Sequence, residues 1–144
     1  MASFNKKISA TEKTKMKKLA LKARQFSHSP YSAKKIGSSI RLSNGKIYSG
    51  CNIENASYGG TVCAERVAIW KAYSENKNTV HITHVVVASA EAAPWPPCGF
   101  CRQVIAEFGT EQTEITLINT DKKEKILSFK ELFPLAFKPE HLDK

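Results

Sequence analysis

The chain reads as a three-layer α/β domain around a mixed sheet, and three observations predict it. Helix-like and strand-like stretches alternate along the sequence, an order that stacks helices on the faces of a sheet. Two alternating apolar runs, 36–42 and 47–53, flank Asn44-Gly45, a strong hairpin signal. The 144 residues, 42% of them hydrophobic, suffice for one domain with a real core.

Each element follows from local chemistry. Ser9-Ala-Thr-Glu12 is a capping box that opens a helix. Behind it Met16, Leu19, Ala20, Ala23 and Phe26 recur at helical spacing with lysines between them. That helix should lay one stripe on the core and turn its lysines outward. Ser27-His-Ser-Pro-Tyr31 ends it, because the residue before a proline avoids the α region. Ile36, Ile40 and Leu42 alternate with polar or small residues, and Ile47, Cys51 and Ile53 continue the period of two. The polar, glycine-ended stretch 52–60 leaves the second strand as a binding loop. Residues 64–74 return to helical spacing through Val67, Ala68 and Trp70. The apolar run 82–88 is a buried strand, 92–97 a proline-stiffened loop, and 99–108 a short helix stopped by Gly109. Residues 114–119 form another strand, and Ser128-Phe-Lys-Glu131 is a second capping box before Pro134. No repeat or low-complexity tract interrupts the series, so 1–144 is one domain with 1–8 a flexible basic lead-in.

Charge and apolar pattern narrow the partners. The net charge is +9, but residues 1–46 hold twelve Lys or Arg against the single acid Glu12, and the remainder nets −2. The excess therefore belongs to a solvated lysine-rich segment, which makes a nucleic-acid partner an unfavoured expectation. No apolar run approaches the ~18 residues of a membrane span. The first residues lack the apolar core of a secretory signal. The expected location is the reducing cytoplasm, where cysteines spaced like Cys98 and Cys101 bind metal or do chemistry.

The chemistry concentrates in Thr61-Val-Cys-Ala-Glu-Arg66 and Pro97-Cys-Gly-Phe-Cys-Arg102. Cys63, Cys98 and Cys101 offer three thiolates, which suit a tetrahedral Zn²⁺ with an open fourth position. Both half-sites fall at helix starts, whose partial positive charge and unpaired N–H groups favour anionic sulfur. Arg66 is placed to donate to a ligand sulfur and offset the excess negative charge. Glu65, two residues from Cys63, is the acid–base candidate that would shuttle a proton from water to substrate. Two plainer readings stand beside this one. In one, Glu65 is simply an acid in a first helical turn; in the other, a fourth ligand from Cys51, His28, His81, His84 or His141 makes the zinc structural.

C-x-E followed by P-C-x-x-C is the three-cysteine form of the zinc deaminase signature. The chain resembles the small, free-nucleoside cytidine deaminases, not only there. Ser29-Pro-Tyr-Ser32, Gly50-Cys-Asn-Ile-Glu-Asn-Ala-Ser-Tyr-Gly59, Pro97-Cys-Gly-Phe-Cys-Arg-Gln-Val104 and Glu131-Leu-Phe-Pro-Leu-Ala-Phe137 resemble family segments in family order. The resemblance implies an α-β-α fold with a mixed five-stranded sheet, one Zn²⁺ per subunit, and hydrolysis of cytidine and 2′-deoxycytidine to the uridine forms in pyrimidine salvage. It implies that Asn52 and Glu54 hold the ribose and that the Ala64 backbone meets the pyrimidine. It implies a homotetramer in which Tyr58 and Phe137 act across an interface. One position departs: family members carry an aromatic two residues after Pro-Tyr-Ser, and here stands Lys34, which removes a stacking surface worth about 1 kcal/mol. Phe26 is a candidate substitute. Lys34 also keeps rivals in view: a modified or antibiotic aminopyrimidine nucleoside or RNA as substrate, or a non-catalytic zinc-stabilised nucleoside-binding module.

Overall fold

A computed structural model describes residues 7–76 and 80–142; most of the basic lead-in lies outside the described residues. The chain runs α1 (Ala10–Arg24), β1 (Gly37–Leu42), β2 (Ile47–Cys51), α2 (Ala64–Asn76), β3 (Ile82–Ser89), α3 (Gly99–Phe108), β4 (Glu114–Asn119), β5 (Glu124–Ser128) and α4 (Phe129–Leu132). The strand order is β2-β1-β3-β4-β5. Among these five strands, β3 and β4 form the only parallel pair. Such a pair needs a crossover, and α3 supplies it.

The mixed five-stranded sheet and its helical layers match the expected fold. Both expected capping boxes form, at Ser9 with Glu12 and at Ser128 with Glu131. On one face α1 sets Met16 and Ala20 against Val86, Ala88 and Ile118. On the other, Ala68, Ile69 and Ala72 of α2 and Ile105 of α3 pack with Ile40, Leu42, Val85, Val87, Ile115 and Leu117. The alternate residues of β1, β3 and β4 thus serve two cores.

Three details differ from the sequence reading. Strand β1 is buried along its whole length, polar positions included, because helices cover both faces. Its Ser38 and Ser39 hydroxyls donate to the Val86 and Met16 carbonyls, and Arg41 pairs with Glu12 at 3.2 Å. Phe26 lies beyond the end of α1 and is 70% exposed, so it is not part of the helix stripe. Lys13 and Lys17 do not simply point outward: they bridge α1 to Glu114 and Glu124 on the sheet. No helix among the described residues is long and apolar enough to cross a membrane.

Contact between α1 and the sheet is close enough to be tested at Gly37. A Cβ there would lie 2.0 Å from the Ala20 carbonyl oxygen and 2.6 Å from the Arg24 nitrogen. Both obstacles are helix backbone, so relief requires moving α1 as a body. Gly37→Ala should cost at least about 3 kcal/mol in urea unfolding, at or beyond the upper range for overpacked cores. A loss below about 0.5 kcal/mol would show that α1 is not seated as described.

The register decides where a site can form. Gly37 pairs with both Cys51 and Ala88, and Ser89 with Asn119. The segment entering β1, the loop leaving β2 and the loop leaving β3 therefore share one end of the sheet. In open α/β sheets, this mouth beyond the carboxyl ends of the parallel strands is where ligands bind.

Candidate active site

Two helix starts converge at that mouth. The Cys63 carbonyl accepts the first α2 hydrogen bond, from Val67 N at 3.1 Å. Gly50 lets α2 sit directly on β2, since a Cβ there would lie 2.7 Å from the Ala68 nitrogen and 2.8 Å from the Ala64 carbonyl oxygen. Cys98 caps α3, its sulfur accepting from the Cys101 backbone N–H at 3.5 Å. Arg102 steadies the approach: Nε donates to the Pro97 carbonyl and Nη1 to the Leu132 carbonyl, both at 2.8 Å.

The sulfurs of Cys63, Cys98 and Cys101 lie within 4.8 Å of one another, and Cys63 and Cys98 are 3.7 Å apart. Tetrahedral zinc with Zn–S bonds near 2.3 Å sets sulfurs about 3.8 Å apart, so the donor set fits one Zn²⁺. Among the described residues this is the only group of three or more candidate ligands, and none of Cys51, His28, His81, His84 or His141 joins it. The arrangement fits a site with a position left for solvent.

Arg66 donates through Nη2 to the Cys63 sulfur at 3.5 Å and to the Thr61 carbonyl at 3.4 Å. Its guanidinium lies 4.2 Å from the Phe100 ring centroid and 5.8 Å from that of Trp70. A weakly hydrated, planar cation between aromatic faces keeps its charge while losing water. In the metal-free protein, hydrogen bonding from the Cys101 thiol and from Arg66 lowers the Cys63 thiol to about 5. Cys101 moves up, because its proton is held by Cys63 and it is buried.

Glu65 is 3% exposed, in the first turn of α2, with its carboxylate in hydrogen-bonding contact with Cys101. Burial foremost, and then the Cys63 charge, raises its carboxyl to about 7. A buried carboxyl poised near neutrality can both take up and release a proton, as acid–base work at pH 7 requires. Ala64, between the candidates Cys63 and Glu65, is fully buried.

The other sequence-derived candidates gather in the loops around this centre. Asn52 is almost buried and acts as a strut. Its Oδ1 accepts from Ile36 N at 2.8 Å and Ser27 Oγ at 2.5 Å, and its Nδ2 donates to the Lys34 carbonyl at 2.8 Å. Glu54 accepts from Tyr31 N at 2.9 Å, from Ser32 N at 3.2 Å and from the Ser32 hydroxyl. The Ser32 hydroxyl chiefly holds its carboxyl below the ordinary value. Tyr58 is 75% exposed and meets Tyr31 edge-on, with centroids 5.7 Å apart. Phe137 is more than half exposed on the C-terminal segment, beside His141, and its carbonyl is tied to α3 by Gln103 at 2.9 Å. Sequence reasoning assigns no role in the site to Ser27, Ser32, Phe100 or Arg102, although Ser32 lies in a family-like segment and Phe100 and Arg102 lie in the cysteine motif. Their partners Asn52, Glu54, Arg66 and Leu132 are remote in the chain.

Comparison with known proteins agrees with this geometry. Residues 10–117 match the family model for the cytidine and deoxycytidylate deaminase zinc-binding region. The cytidine deaminase of Halalkalibacterium halodurans is 42% identical over 126 residues, 88% of this chain and 94% of that protein. That of Sporosarcina psychrophila is 41% identical over 121 residues, 84% of this chain and 88% of its own. Among solved structures, cytidine deaminase from Burkholderia pseudomallei superposes with a TM-score of 0.82 at 34% identity, covering 90% of this chain and all of that one.

Proposed function

The chain belongs to the cytidine and deoxycytidylate deaminase family, and from that premise we propose zinc-dependent hydrolytic deamination of cytidine and 2′-deoxycytidine to the uridine forms. The observation that carries this reading is the cluster of three sulfurs at two helix starts with a buried carboxyl, Glu65, beside them.

Cys63, Cys98 and Cys101 would hold the metal. A bound zinc supplies Lewis acidity that makes water nucleophilic near neutral pH. Glu65 takes a proton from the attacking water and delivers it to ring N3 of the base while oxygen adds to C4. The same carboxyl then carries a proton to the exocyclic amine, which departs as ammonia. Arg66 holds Cys63 anionic and limits the charge that three thiolates would otherwise present. Asn52 and Glu54 are the sugar-binding pair. Among the described residues one Asn52 amide proton has no partner beyond its bracing bonds, and Glu54 is already ionised and fixed by Ser32. The Ala64 backbone lines the base.

The finer assignments rest on the same premise. Exposed Tyr58, Phe100, Leu135 and Phe137 support a homotetramer, with Tyr58 and Phe137 acting on a neighbouring site. Light scattering should then report four times the 16.0 kDa chain mass. Four free cysteines suit a reducing cytoplasm, to be checked by cell fractionation; the role in pyrimidine salvage follows from the proposed reaction alone.

The decisive assay follows ultraviolet absorbance of cytidine, deoxycytidine, adenosine and a cytidine-bearing oligonucleotide with zinc-loaded protein. Loss of cytidine absorbance with one ammonia released per uridine is expected. Turnover of the oligonucleotide alone would move the reading to RNA. No turnover of any of them would leave a binding module.

A further inference from the structure

Lys34 is built into the site mouth at both ends. Its main chain is held on the substrate side, where the carbonyl accepts from Asn52 Nδ2 at 2.8 Å and the N–H donates to Ser32 Oγ at 3.0 Å. The residue before it, Ala33, has φ of 59°, an uncommon conformation for a non-glycine residue that persists where surroundings impose it. That turn aims the Lys34 side chain across the mouth. There its ammonium meets Glu91 at 2.9 Å and lies 5.5 Å from the Trp95 ring centroid. Both belong to the loop that ends at Cys98.

The far anchor is fixed as well. Asn119 Nδ2 donates to the Glu91 carbonyl at 3.0 Å and the Ala92 carbonyl at 3.3 Å, and Lys123 Nζ donates to the Ala92 carbonyl at 3.0 Å. One side chain therefore joins two anchored loops, 57 residues apart in sequence. The segment carrying Lys34 is braced by Asn52 from the loop leaving β2, and the loop carrying Glu91 and Trp95 ends at a metal-site cysteine.

We infer that Lys34 is a positioning residue: through Glu91 and Trp95 it latches the metal-bearing loop to the segment that Asn52 braces, and so sets the gap that a nucleoside must span. The inference rests on the nucleoside deaminase reading of the site. A substrate held at its sugar by one loop and at its base by the other benefits when that gap is set before binding, since no ordering then falls on association. The latch should act on KM. Glu65 and the three sulfurs keep their own contacts without it, so kcat should change little. Because the pair is half exposed, salt should weaken it.

The test compares Lys34→Met, Glu91→Gln, the double variant and Lys34→Arg with the wild-type protein, by steady-state kinetics on cytidine and by hydrogen exchange of the 90–95 amides. Each neutralised variant should raise KM about fivefold with kcat within about twofold, the range open to an exposed ion pair plus a cation–π contact. The double variant should be no worse than Lys34→Met, which already loses both the ion pair and the Trp95 contact, and Glu91→Gln should be the mildest of the three because it keeps the Trp95 contact. Lys34→Arg should retain wild-type KM. Exchange in 90–95 should quicken about fivefold in both neutralised variants. Unchanged exchange in Lys34→Met overturns the latch whatever the kinetics show. Faster exchange with unchanged KM makes it structural only and overturns the positioning role. Faster exchange in a protein whose wild type does not act on cytidine leaves the latch standing and sinks the substrate reading instead.

Discussion

Replacing Glu65 with glutamine should reduce kcat on cytidine by about 10²- to 10⁴-fold, toward the upper end because one carboxyl serves two proton transfers. Zinc content and fold should be retained, since glutamine matches the shape and Glu65 is not among the three sulfur ligands. A variant that keeps its zinc and more than a tenth of wild-type kcat would remove Glu65 from the reaction. Stability should move the other way. In the metal-stripped chain burial raises the Glu65 carboxyl to about 7 from an ordinary 4.5. An acid raised on folding favours the folded state most below its unfolded pKa, and that contribution is lost as pH rises through the folded one. Between pH 4 and pH 8 the stripped wild type should therefore lose about 3 kcal/mol relative to Glu65→Gln. Cys63 faces Glu65 and its charge contributes to that shift, so the comparison is made with Cys63→Ser in both proteins as well. Parallel pH curves in denaturant unfolding would show that the carboxyl is not buried as described. With both outcomes met, the group that costs stability at neutral pH would be the one that performs the proposed chemistry, a common trade at active sites.

Much of this was legible in the sequence because it depends on neighbours in the chain. The capping boxes at Ser9 and Ser128 and the positive-φ turn at Gly45 are local devices, and they form as read. The spacing of Cys98 and Cys101 puts one thiol at the α3 cap and the other in its first turn for the same reason. Elements shaped by distant partners were harder to read. Strand β1 looked half exposed by its period of two, yet α1 buries its polar face, and Arg41 is tolerated there only because Glu12 arrives from the helix. Strand β5 has a charged, exposed edge with little apolar alternation, so its own sequence gave no strand signal and only the family resemblance implied a fifth strand. Gly109 does end α3, but not through a left-handed cap: its φ is −112°, and a Cβ would meet Thr113 Oγ1 at 2.9 Å. Lys34 read as a missing aromatic, and its contact with Glu91 could not be seen in a sequence that places them 57 residues apart.

Removing the metal should have the second large effect, on activity and on structure together. Cys63 begins α2 and Cys98 and Cys101 begin α3, so one ion shared by their sulfurs ties two helix starts across the site. By mass action, zinc at about a thousand times its dissociation constant adds about 4 kcal/mol to stability. Verified chelation should therefore lower the melting temperature by about 10 °C and reduce cytidine turnover by at least about 10³-fold, both restored by added zinc. Acid should act in the same direction, because zinc binds thiolates and protons compete for them. Cys63 is the site's first anion: the Cys101 thiol and Arg66 hold it at about 5. For such a depressed acid the stabilising contribution is present above the unfolded value and lost as pH falls through the folded one. Zinc release should thus steepen below about pH 5, and Arg66→Ala, which strips Cys63 of its cation, should shift that release to higher pH. A chelated protein that is shown to be metal-free yet melts and turns over like the loaded one would dismantle the mechanism. A chelated protein that melts early but keeps its turnover would leave the sulfur cluster as a staple and nothing more.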